Sequence, residues 1–489
     1  MQKSLKGKTL SGFLWKFAER MSAQLTTTVV SIILARTLLP EEYGIIAIVT
    51  VVIAICNVLV VDGLGTSLIQ KEAADDIDFS SVFYCSLGLS VLLYGVLYIF
   101  APLIAQYYNM PILSPVLRVM GIRLILAAVN SVQQAYVSRK MQFRKFFFAT
   151  LIGTVLSGIV GIYMAKQSYG VWALVAQYLL NTTVNTIILF FSIRWHPKLV
   201  FSFERLKGLF AYGWKITAGS LLNELYKSLR TLIIGKIYST SDLSYYNKGQ
   251  TYPNLISTNI NSSITSVLFP AISKVQADKE RVRGMLKRSI KTSSFFIFPL
   301  LLGFCMIAEE FVKIILTEKW SQSIPYVRMF CIAFCATPLT TVNLQAIKAM
   351  GYSDIALKQE VIKKTTGIVM IFITVSISVE AVVIGAVIIE YWCFVVNTWP
   401  NKKIINYPLI RQIADIMPNL IISVLMALLV WCVGLFNLPL LHSMVVKILV
   451  GVTAYAALSF AQKNETFLYI INMLREKSKP VVFNKRFEE

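Results

Sequence analysis

Histidine is nearly absent from the 489-residue chain, which has two: His196 and His442. Far apart as they are, they give no basis for a His-based metal site, and no cofactor is indicated. Acids are scarce as well. There are 25 Asp and Glu against 47 Lys and Arg, and the four charged types make up 15% of the sequence, where an average soluble chain carries about 25%. The seven cysteines (Cys56, Cys85, Cys305, Cys331, Cys335, Cys393 and Cys432) lie in apolar stretches and none forms a Cys-x-x-Cys. Cys331 and Cys335, one helical turn apart, share a face. Buried small hydrophobes, not a disulfide framework, are expected. No Walker lysine motif is present, which excludes a P-loop ATPase. Gly63-Leu64-Gly65 is read as the end of a membrane helix and not as a dinucleotide loop. Asn464-Glu465-Thr466 has N-glycosylation spacing but falls on a tail expected in the cytoplasm.

What the chain has instead is apolar surface. Hydrophobic residues reach 56% and mean hydropathy is +0.65, more than the interiors of soluble domains of this length can bury. They come in blocks of about 20 residues, the length of a membrane-crossing helix. The composition therefore describes an all-α, polytopic membrane protein. It excludes a soluble enzyme, a disordered chain and a nucleic-acid-binding protein. The formal charge of +22 must then sit in cytoplasmic loops or inside the membrane, where charge is costly and usually functional.

Fourteen spans are expected, at 13–39, 44–61, 82–105, 113–136, 146–165, 171–195, 210–237, 245–269, 292–308, 324–349, 361–379, 381–399, 413–435 and 441–460. Lys3, Lys6 and Lys8 resemble the start of a signal peptide, but Lys16, Glu19 and Arg20 interrupt the apolar run, so the first span is read as uncleaved. Basic clusters at Arg139–Lys145, Arg194–Lys207, Lys274–Lys291, Lys358–Lys364, Lys402–Arg411 and Lys477–Arg486 fall on one side, with the N-terminal lysines. By the positive-inside rule both termini are cytoplasmic. One loop dissents: Lys71–Asp78 carries Glu72, Asp75, Asp76 and Asp78 on that same side. No loop exceeds about 20 residues, so an extramembrane catalytic domain is not expected.

A weak internal repeat is visible. At an offset of 200, Trp15-Lys16 matches Trp214-Lys215 to within a residue, Arg36 meets Lys236, Glu42 meets Asp242 and Leu68 meets Leu268. At an offset of 210, Arg118 meets Arg328 and Val132 meets Val342. The organisation expected is a six-helix lobe at 1–200, a second at 201–400 related by a parallel repeat, helices 13 and 14 at 401–462, and a cytoplasmic tail at 463–489.

Polar residues recur inside the spans. Arg20, Gln24, Thr27 and Ser31 follow i, i+4, i+7, i+11 on the first span, one helical face. Asn223, Glu224, Lys227, Arg230 and Thr231 form a charged stripe on the seventh. The eighth carries Lys248 and Asn254 in a run of amides and hydroxyls unsuited to lipid. Arg123, Asn130 and Gln134 share a face of the fourth, and Arg328 stands on the tenth. Helix–helix hydrogen bonding or snorkelling explains amides well and mid-span cations poorly. A net-basic cavity suited to a pyrophosphate or a carboxylated sugar is the functional expectation. Pro253, Pro299 and Pro338 are candidate hinges.

Four stretches then point to a family. Leu34-Ala35-Arg36-Thr37-Leu38-Leu39-Pro40-Glu41-Glu42-Tyr43-Gly44 and Gly63-Leu64-Gly65-Thr66-Ser67-Leu68-Ile69-Gln70 resemble the first hairpin of the polysaccharide transporter family of the MOP flippase superfamily. Leu268-Phe269-Pro270-Ala271-Ile272-Ser273 and Ala346-Ile347-Lys348-Ala349-Met350-Gly351 resemble its second-half signatures. The resemblance implies two six-helix lobes around a central cationic cavity, plus two helices. It implies an inner-membrane flippase of undecaprenyl-pyrophosphate-linked oligosaccharide, of the O-antigen, colanic-acid or teichuronic-acid type. The partners implied are that lipid-linked substrate, membrane lipids and polysaccharide polymerase or export proteins. A cation-coupled antiporter of the related MATE type would share the fold but should hold more intramembrane acids. A membrane-embedded glycan polymerase or glycosyltransferase is the enzyme alternative, with Glu41-Glu42 and Glu309-Glu310 as its candidate acids.

Overall fold

The computed structural model describes residues 2–193 and 195–469, with side chains from Trp15 onward, Phe17 excepted. The tail cations Lys477, Lys479, Lys485 and Arg486, and Arg194, lie outside the described residues. Among the described residues the chain is helical throughout, without strands. The helices are α1 (Gln2–Thr37), α2 (Pro40–Gln70), α3 (Asp76–Tyr108), α4 (Leu113–Lys140), α5 (Phe143–Lys166), α6 (Val171–Ser192), α7 (Phe203–Ile237), α8 (Thr240–Ser273), α9 (Lys279–Met306), α10 (Ala308–Phe311), α11 (Ile324–Phe334), α12 (Thr337–Ala349), α13 (Ser353–Val375), α14 (Val379–Thr398), α15 (Asn401–Ile404), α16 (Leu409–Val433) and α17 (Leu440–Ala461). Ten helical stretches are long and apolar enough to cross a membrane, so the chain is a polytopic membrane protein. α1, α7, α8 and α13 stand outside those ten. Three of them, α1, α7 and α8, carry most of the intramembrane charges and amides singled out in the sequence; the others lie on α4 and α11.

Several expected boundaries move outward. α2 continues past Val61 to Gln70, so Gly63-Leu64-Gly65 lies inside the helix and does not end it. Gly63 is there for a close crossing: a Cβ on it would stand 2.8 Å from the Gly213 carbonyl oxygen of α7. α9 begins at Lys279, so most of the basic stretch expected as a loop is helix. The expected tenth span breaks in two. Pro338 sits in the first turn of α12, where its missing N–H leaves no donor back to the preceding turn. The backbone N–H groups of Cys335 and Ala336 close α11 with i→i−3 bonds to the carbonyls of Ile332 and Ala333.

The chain divides into two compact units, Met1–Ser244 and Tyr245–Glu489. In the first, α5 packs on α6, α3 on α4, α1 on α5, and α2 on α4 and α7. In the second, α9 packs on α16, α13 on α14, and α16 on α17. The helix limits repeat at the offset seen in the sequence. α1–α2 turns at 38–39 and α7–α8 at 238–239. Glu42 accepts from the Leu39 backbone N–H at 2.7 Å, and Asp242 from that of Ser239 at 3.3 Å. One carboxylate thus makes the same capping bond at both hairpins.

The dissenting acidic loop is neutralised by chain far downstream. Asp75 caps α3 through the Ile77 and Asp78 backbone N–H groups and pairs with Arg205; Asp76 pairs with Lys198 at 2.6 Å. Buried Asp78 takes both bonds of Lys71 at 2.7 Å. Arg139 donates to the carbonyls of Leu68, Lys71 and Glu72. The α6–α7 linker is sewn to the same place by Lys198 N–H on Ser80 and Ser202 N–H on Ser81, at 3.0 and 2.9 Å. Trp195 closes it, 5.5 Å from the Phe79 ring and stacked on Tyr136 at 6.1 Å. The backbone N–H of Asp78 is the main cause that holds the Asp75 carboxyl below its ordinary value; burial pushes the other way, and Arg205 and the Ile77 N–H add to the lowering.

Candidate functional site

The polar face of α1 is real as a surface. Lys16, Glu19, Arg20, Ala23, Gln24 and Thr27 line a cavity of about 290 Å³. Arg20 and Gln24 are exposed to it, and Glu19 is occupied by Lys16 at 2.8 Å.

From Glu19 a hydrogen-bonded seam runs through the first unit. Thr150 of α5 donates to Glu19 at 3.4 Å, Asn185 of α6 donates to Thr150 at 3.4 Å, and Asn130 of α4 donates to Asn185 at 3.3 Å. Asn181, one turn earlier on α6, donates to Thr154 at 3.2 Å and Ser157 at 3.4 Å. Arg123 joins the same α4–α6 contact. Its Nε donates to Thr182 at 3.2 Å and its guanidinium lies 5.3 Å from the Tyr178 ring centroid. No carboxylate among the described residues pairs with it. Of the expected α4 face, Arg123 and Asn130 are brought together, while Gln134 is exposed outside the seam. Its neighbour Gln133 is the buried one, at 0% exposure, with neither amide atom hydrogen-bonded.

The α6 half of the seam escaped the sequence reading. Tyr178, Asn181, Thr182 and Asn185 recur at i, i+3, i+4, i+7, a helical face, but they sit inside an apolar stretch without a charge to draw attention. The period of the amides was the available signal.

The α7 stripe is largely open. The Lys227 side chain is 76% exposed and its Nζ lies 4.0 Å from Glu224, which also accepts from Ser228 at 3.2 Å. Asn223 is exposed. Arg230 is half-buried and its Nε has no hydrogen-bond partner.

In the second unit the expected residues do not gather. Lys248 is buried, its ammonium 5.4 Å from the Trp320 ring centroid. Asn254 is exposed and accepts from Thr258 at 3.1 Å. Arg328 stands in the first turns of α11, 3.5 Å from Glu309. Buried polarity in this unit belongs to a different set. Asn343 and Gln412 exchange bonds of 2.8 and 3.0 Å, and Asn401 donates to Asn343 at 2.6 Å, tying α12, α15 and α16. Glu310 binds Lys447 and Ser443 of α17. Asn464, read as part of a glycosylation triplet, caps the helical turn after it by accepting from the backbone N–H of Thr466 and Phe467.

The profile of a family described as polysaccharide biosynthesis protein matches residues 33–325. A membrane protein of the cps region of Klebsiella pneumoniae is 29% identical over 337 residues, 68% of this chain and 69% of the relative. The lipopolysaccharide biosynthesis protein WzxC of Escherichia coli strain K12 is 25% identical over 374 residues, 74% of each chain. Among solved structures, the lipid II flippase MurJ superposes with a TM-score of 0.75 at 14% identity, over 93% of this chain and 99% of its own; that likeness shows the fold.

Proposed function

Because the chain belongs to the polysaccharide biosynthesis protein family, we infer that it is a flippase that carries polyprenyl-pyrophosphate-linked oligosaccharide across the bacterial cytoplasmic membrane by alternating access. Both termini face the cytoplasm in this reading. The chain holds and turns its cargo and makes or breaks no bond in it.

The observation that carries the reading is Arg123. A guanidinium within an apolar helix is costly, at about 2.5 kcal/mol or more at mid-membrane. Here it has a hydroxyl and an aromatic face for company but no carboxylate. An anionic cargo supplies the missing charge, and a phosphate matches the guanidinium fork. Two intramembrane acids are already engaged, Glu19 by Lys16 and Glu224 by Lys227 and Ser228. That supports an anionic cargo over a cationic one.

The test is surface polysaccharide in a deletion strain complemented with the chain. Arg123→Gln should lower export by about 10-fold or more, the loss of one charge-assisted bond, at unchanged protein level. Full export from this variant would return Arg123 to a purely structural role.

A further inference from the structure

A cavity of the second unit lies apart from the residues expected to form the polar site. It is a groove of about 700 Å³ between α8 and α9. On the α8 side Ile260, Ile264, Val267, Leu268 and Ala271 recur at i, i+4, i+7, i+8, i+11, with Asn259 and Ser263 beside them toward the far end from Ala271. Across from them the α9 wall is mixed: Ser289, Thr292 and Ser293 lie between Met285 and Phe296, with Arg288 among them. From Ile260 to Ala271 the groove runs about 17 Å at 1.5 Å per residue.

α9 carries cations on two faces, and the two are treated differently. Lys287 and Lys291, toward α16, are both met by Asp415, at 3.1 and 3.7 Å, and Lys291 also by Glu465 at 2.8 Å. Arg288, toward the groove, is exposed, and no carboxylate among the described residues pairs with it. One open guanidinium on a long apolar wall is complementary to an anionic head on a long hydrocarbon. Apolar side chains of both walls are uncovered, Val267 of α8 at 69% and Phe296 of α9 at 44% exposure.

We propose that this groove seats the lipid end of the cargo: the phosphate of a polyprenyl carrier on Arg288, its hydrocarbon along Ile264, Ile260 and Phe296. The proposal rests on the flippase reading and assigns it a subsite apart from Arg123. Ser289 and Thr292 flank the phosphate position with hydroxyl donors. Arg is suited here because its fork makes two parallel bonds to a phosphate where Lys makes a point contact.

Native mass spectrometry of the full chain in detergent, titrated with undecaprenyl phosphate or with phosphatidylglycerol, tests it. Arg288→Gln and Ile264→Trp, one removing the charge and one filling the groove, should each weaken undecaprenyl phosphate binding by about 10-fold or more. Arg288→Lys should retain part of it. Phosphatidylglycerol binding should be the same in all four proteins, which also shows that the variants are folded. Carrier affinity unchanged in both Arg288→Gln and Ile264→Trp overturns the proposal, as does no carrier binding by the wild type. A parallel loss of phosphatidylglycerol overturns it too, making the groove a general phospholipid site. Surface polysaccharide in the deletion strain reads the flippase function separately. Export restored by the wild-type chain keeps that function even where the groove fails. A deletion that leaves export intact removes the function whatever the groove binds.

Discussion

Arg230 and Lys227 lie three residues apart on α7 and end in opposite surroundings. Lys227 reaches into the open with a loose carboxylate partner, whereas the Nε of Arg230 is shielded from water and unbonded. Leaving a charged donor unbonded costs at least about 1–3 kcal/mol, so Arg230 gains more from an incoming anion than Lys227 does. Arg230→Gln should therefore abolish export in the complementation assay, Arg230→Lys should rescue it only in part, and Lys227→Gln should reduce it less. Equal effects of the two Gln variants would place both residues on a solvated surface. Residue faces were legible where a charge marked them, as with Arg20 and Gln24 on α1. They were not where uncharged amides interlock: Asn181 and Asn185 matter only through Thr150, Thr154 and Asn130 on other helices, and no local pattern encodes that pairing.

Helices as units were legible to within a turn or two where their ends coincide with the apolar edge, and missed where they do not. Hydropathy reports where hydrocarbon ends, while a helix ends where its backbone groups are capped, so α2 and α9 overrun their apolar cores. The α11–α12 break is the converse case, an apolar run interrupted by one missing N–H. Pro338→Ala should join the two helices and slow export several-fold without lowering protein level; normal export would make the break a static feature. The acidic loop makes a second prediction at this scale. With its folded pKa below the ordinary aspartate value of about 3.9, Asp75 contributes stability that is complete above that value. The contribution is lost as pH falls through the folded pKa. Thermal unfolding followed from pH 7 down to 3 should show a smaller acid loss for Asp75→Asn than for the wild type, and identical curves would remove Asp75 from the acid response.

For the whole molecule, the excess of cations along one set of loops predicts a sidedness. Arg283→Cys should resist, and Glu318→Cys should accept, a membrane-impermeant thiol reagent applied from outside, each on a background lacking the seven native cysteines. The reverse pattern would invert the topology. The compact units divide at Ser244, a full helix beyond the lobe edge suggested at 200, because α7 packs on α2 through Gly63 and Gly213.

The knot that neutralises the acidic loop also has a history in time. Asp75 and Arg205 are 130 residues apart, so at about 5–20 residues per second the ribosome delivers the arginine roughly 7–26 s after the aspartate. Through that interval the turn between α2 and α3 waits at the membrane surface with Asp75 and Asp76 unanswered. Lys71, seven residues from Asp78, is the cation already at hand. A nascent chain halted before Trp195 would carry a hairpin that is inserted but unfastened, and such stalled products are the ones a membrane protease should find first.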